Sequence, residues 1–102
     1  MHDVKDLEGF FNALGDLIEG ADTVVANATA FQSATQAIEK FLTDEWPTIE
    51  RVLRDDGLSL KDRQRLLQLL ESINGLETKT QAHLSWTKDF ESHMKRAMEK
   101  LS

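Results

Sequence analysis

The chain has no cysteine, and Pro47 is its one proline. Without thiols there is no disulfide, no thiolate metal site and no cysteine nucleophile, and nothing favours an oxidising compartment. The five glycines, at positions 9, 15, 20, 57 and 75, stand singly, so no Gly-rich phosphate cradle forms. No run of about 18 apolar residues is present, which excludes a membrane-spanning helix. The opening "MHDVKDLEGFF" carries acids where a secretory leader needs a basic stretch before an apolar run. Together these absences set the expectation of a soluble cytoplasmic protein.

Basic charge is also in short supply. A net charge of −6 argues against nucleic acid, whose phosphates need a basic stripe, and against anionic lipid surfaces. The sign is uneven: residues 1–57 hold 12 acids against 4 bases, whereas residues 58–102 hold 6 acids against 8 bases. Halves of opposite balance attract when folded against each other. A length of 102 residues leaves room for one domain near the small end of what folds unaided.

What is present is helical patterning. Val4, Leu7, Phe11, Leu14, Ile18, Ala21, Val25 and Ala28 recur in alternating steps of three and four, and after a shift at Phe31 the series resumes with Ala34, Ile38 and Phe41. Asp3 is placed to cap this first stretch. Gly9, Gly15 and Gly20 weaken it and leave open a break near Gly20–Thr23, against which the unbroken phase argues. In "LTDEWPTIERVLRDDGLS", Thr43 reads as the cap of a new helix, with Pro47 early enough to break no intrahelical bond and Gly57 placed to end it. Ser59 then caps a last helix, with Asp62 as capping-box partner. From Leu66 through Leu69, Ile73, Leu76, Thr80, His83, Thr87, Phe90, Met94, Ala97 and Leu101 the alternation holds without a slip across Asn74 and Gly75. A positive-φ Asn-Gly turn would reset that phase, so the helix is expected to run through.

The fold class is therefore all-α, in one of two forms with heptad-like packing: a long antiparallel helical hairpin, which the unbroken phase favours, or a small helical bundle. In the hairpin, one domain over 1–102 has a helical arm at 3–42, a short helix at 44–55 and a second arm at 60–101. At about 1.5 Å per residue, each arm would be roughly 60 Å long.

Catalytic and metal chemistry find little support. The histidines are His2, His83 and His93, and neither His-Glu-x-x-His nor Glu-x-x-His occurs. Asp89 and His93, four apart, read first as an exposed helical pair, and His83 as part of a polar layer with Thr80 and Thr87. No cofactor is expected, and no enzymatic activity. Two stretches instead suggest contact surfaces. "TVVANATAFQSATQAI", residues 23–38, has no charged side chain over four turns, and "LLQLLESINGL" is a leucine band wider than a two-helix seam requires. An extended hairpin could not cover both. The candidate partner-binding residues are Phe31, Ile38, Leu66, Leu70 and Ile73, together with Trp86 as an aromatic anchor beside the stripe.

In its layout, with "EWPTIERVL" leading into a long leucine-rich helix, the chain resembles the export chaperones of flagellar and related secretion systems. That resemblance implies a short, acidic, cytosolic helical protein holding a subunit by helix-in-groove contacts. The chain is also similar to secreted helical hairpins of about a hundred residues with a Trp-x-Gly turn, at "EWPT", where Thr48 stands in the glycine's place. The expected function is a non-enzymatic protein–protein interaction module, adaptor or chaperone-like, binding a partner helix or a second copy as a dimer. The alternative is a structural or secreted hairpin component of a larger assembly.

Overall fold

The computed structural model, which describes residues 2–54, 59–76 and 86–102, breaks the first arm at Asn27. Helix α1 runs His2–Thr23 and α2 runs Ala28–Asp44, so Asp3 lies inside the first turn of α1 rather than ahead of it. The Asn27 side chain accepts from the Ala30 N–H at 3.0 Å, and its carbonyl receives the Phe31 N–H at 2.8 Å. Those bonds satisfy donors that a helix start leaves open. The three-four series slips at Phe31 because α2 starts a phase of its own, burying Phe31, Thr35, Ile38 and Leu42. Val24 and Val25, in the link, pack half-buried against the core, and Val25 fills a stripe position without being helical. Phe10, early in α1, stacks on Phe41, late in α2, with ring centroids 5.5 Å apart, so the two helices are antiparallel.

Helix α3 spans Trp46–Arg54 and starts later than Thr43 suggested, since Thr43 and Asp44 belong to α2. Glu45 serves both helices. Its N–H donates to Phe41 O at 2.9 Å, closing α2, and its carbonyl accepts from Thr48 N at 3.0 Å, opening α3. Pro47 therefore falls in the first turn of α3, where a missing N–H costs no bond. Helix α4, Leu60–Gly75, begins as expected: Ser59 Oγ accepts from Asp62 N at 3.1 Å. The Gly57 stop and the Thr80–His83 layer lie outside the described residues.

The second arm is also divided. No positive-φ turn forms at Asn74-Gly75, and Leu76 keeps right-handed φ −61° and ψ −30°, but α4 ends at Gly75. Helix α5, Lys88–Leu101, has its own cap in Thr87, whose side chain accepts from Phe90 N at 3.2 Å. Thr87 is thus a helix start and not a seam residue. Its N–H and hydroxyl both donate to the Glu39 carboxylate of α2, at 2.9 and 3.0 Å, tying α5 to a helix 48 residues away.

Packing joins α1 to α2 and α4, α4 to α5, and α3 to both α2 and α5. The core includes Phe11 and Leu14 of α1, Phe31, Ile38 and Leu42 of α2, Ile49 of α3, and Leu66, Leu70 and Ile73 of α4. Phe90, Met94 and Ala97 of α5 close it. Thr35 is the one buried polar side chain among the described residues, and its hydroxyl bonds to Gln32 O at 2.9 Å. The two halves meet through Arg65 of α4, which stacks 5.0 Å over Phe11 and donates to Asn12 Oδ1 at 3.1 Å. Extents of 41 × 24 × 21 Å and a radius of gyration of 13.6 Å fit a small helical bundle. They do not fit two rods of roughly 60 Å, so the bundle is the form adopted and the extended hairpin is not.

Two stability effects follow from these local structures. Gly15 lies mid-α1, where an added Cβ would meet nothing within 4 Å. Gly15→Ala is expected to raise the unfolding free energy by about 0.5–1 kcal/mol, read as a higher urea midpoint at unchanged slope. Thr87→Ala removes the α5 cap together with a hydroxyl bond to Glu39. It should lower stability by about 1–2 kcal/mol, with faster amide exchange in the first turn of α5 than elsewhere.

Candidate partner-binding groove

The cap at Thr87 fixes how α5 enters the bundle, and four apolar residues around it recur every fourth position: Trp86, Phe90, Met94 and Met98. On a helix that spacing forms a stripe along one edge. Phe90 and Met94 are buried, whereas Trp86 and Met98 are half-buried. The Trp86 and Phe90 rings lie 4.9 Å apart. Facing them, α4 contributes half-buried Leu67 and the edge of Ile73. Between the two helices lies a solvent-open cleft of about 540 Å³, with Glu71, Asn74, Glu91, Lys95 and Glu99 also lining it. The exposure of those four charged side chains places them at the rim.

A second cleft, of about 520 Å³, lies on the other flank of α5 against α2 and has a different character. Glu39, Lys40, Asp44, Asp89 and His93 are among its lining residues, with Trp46 as its main apolar wall alongside Phe90. His93 is already engaged. Its ring meets Trp46 edge-on at 5.0 Å, and Nδ1 lies 2.7 Å from the Asp89 carbonyl, which can only accept, so Nδ1 carries the proton in that bond. Asp89 and His93 are thus paired through backbone, not through two side chains poised for a metal. Among the described residues, no group of three or more His, Asp or Glu is placed to hold a metal ion.

The six residues singled out from the sequence fall into two sets. Phe31, Ile38, Leu66, Leu70 and Ile73 are at most 1% exposed, and they meet one another in the chain's own core. A partner could reach their faces only if the bundle opened; Ile73 alone also borders the cleft. Trp86 is half-buried and lines the groove. The apolar surplus inferred for two rods is largely covered among the described residues, because five shorter helices pack around both dense stretches; Leu67 and Leu69 stay half-buried. Leu60, at 70% exposure, is the one large apolar side chain left open among the described residues. The charge-free segment keeps its inner face in the core, while Thr29, Gln32, Ser33 and Gln36 leave a small, polar outer face.

Met98 sits off the three-four stripe and is not among the expected contact residues, whereas Leu67 enters only as a member of the leucine band and not as a binding residue of its own. The repeat of large apolar residues every fourth position from Trp86 was the available signal. No family model, curated protein or solved structure matches the chain. Among the described residues, no helix is long and apolar enough to cross a membrane.

Proposed function

We propose that the chain is a non-enzymatic protein–protein interaction module that takes an apolar helix of its partner into the α4–α5 groove. The observation that supports this reading is the groove floor: Leu67, Trp86, Phe90, Met94 and Met98 form a continuous apolar strip under a solvent-open cleft of about 540 Å³. Methionines adapt their shape to different guests, and an indole at one end supplies a large anchor at low entropic cost. A helix laid between two others meets the ridges and grooves that helix packing uses anyway. Burial of its apolar face is the driving force, and the groove residues need move no bond and no proton.

The test uses a Trp46→Phe background, in which Trp86 is the one indole. Titration with a helical peptide carrying leucines at i, i+3 and i+7 and a neutral outer face should shift Trp86 emission to the blue and saturate. A second peptide with those leucines replaced by serine should leave it unchanged. Equal responses to both peptides, or none to either, would contradict the reading.

A further inference from the structure

Charge at the groove's edge narrows the partner, and this step rests on the groove reading just given. Glu91, Lys95 and Glu99 follow one another at four-residue spacing along the α5 rim, and Glu71 stands on the α4 rim. All four are exposed, so they act on a guest through solvent from the margins while the floor stays apolar. Three glutamates against one lysine make the rim locally acidic, within a half of the chain, residues 58–102, that holds 8 bases against 6 acids. A second copy has no free three-anchor apolar helix face to offer, because the helices spend theirs on the core and Leu60 is the one large apolar side chain left open among the described residues. An acidic helix would meet like charge at the rim. Length sets the other condition: Phe90 to Met98 spans eight residues, about 12 Å at 1.5 Å each, close to the reach of anchors at i, i+3 or i+4, and i+7.

We propose that the groove's guest is a basic amphipathic helix of another protein, about two to three turns long, with Lys or Arg flanking a three-anchor apolar stripe. The lysines meet Glu71, Glu91 and Glu99 at the rim, where complementary charge speeds encounter and selects against acidic guests more than it adds contact. Lys95, between Glu91 and Glu99, leaves one place along the α5 rim where an acid on the guest is tolerated.

Three helical peptides with identical anchors and basic, neutral or acidic flanks decide it, measured by calorimetry on the unmodified chain and on a Glu71→Gln, Glu91→Gln, Glu99→Gln variant. The substitutions are on exposed positions, and circular dichroism checks that the helices remain. The basic peptide should bind about tenfold more tightly than the neutral one at low salt, and the difference should shrink in high salt and in the variant. Equal binding of basic and neutral peptides would overturn the charge inference while leaving the groove reading intact. Absence of binding by all three would overturn both. Two further results would also overturn the inference: tighter binding of the acidic peptide, or sedimentation of the free chain as a dimer whose peptide site is blocked.

Discussion

Phe31→Ala is expected to lower the unfolding free energy by about 3–5 kcal/mol, a large fraction of the roughly 5–15 kcal/mol that holds a domain together. The reason is position. Phe31 is 1% exposed, on the first turn of α2 just past the Asn27 cap, and belongs to the core cluster formed with α1, α3, α4 and α5. Truncation removes the transfer energy of a phenyl ring and leaves a cavity that helices anchored at both ends cannot close. Urea unfolding followed by far-ultraviolet circular dichroism measures the change. A loss below about 1 kcal/mol would place Phe31 at the surface, as a partner-facing residue, and would contradict the interior described here.

Trp86→Ala is expected to weaken binding of the three-anchor helical peptide by about 2 kcal/mol, roughly 30-fold, because it removes the large aromatic anchor at the groove's end. Its effect on folding should be smaller. Trp86 is half-buried, lies ahead of α5 and rests on Phe90 at 4.9 Å, so truncation gives up only part of a large side chain's burial, about 1–2 kcal/mol. Calorimetric titration beside a denaturation curve separates the two quantities. Unchanged affinity would remove Trp86 from the groove's binding surface. Affinity lost only in proportion to unfolded protein would make it a stability residue.

Much of the bundle was legible in the chain. Leu7, Phe11, Leu14 and Ala21 were read as inward-facing from their spacing and are buried; Ser59 was read as a cap and is one. What spacing did not reveal is where one helix stops and the next begins, because Val25 keeps the apolar series in phase across a link that is not helical. The stronger cues were chemical and local: Asn27 and Thr87 each cap a helix by accepting from the N–H three residues on. Dividing the arms then changed what the apolar residues do. Ile38 and Leu66 became interior in a five-helix bundle, where two rods would have left surplus surface for a partner. The groove was the least legible part, since it depends on α5 meeting α4 at an edge that includes Leu67 and Met98.

Methyl-resolved nuclear magnetic resonance, during titration with the basic three-anchor peptide, compares the two sets of apolar residues in one experiment. The largest shifts should fall on the methyls of Leu67, Met94 and Met98 and on the Trp86 indole. Ile38, Leu66 and Leu70, sealed in the core at 0% exposure, should change little. Largest shifts on Ile38, Leu66 and Leu70, with Met98 and Trp86 unmoved, would show that the partner enters an opened bundle and would contradict the groove.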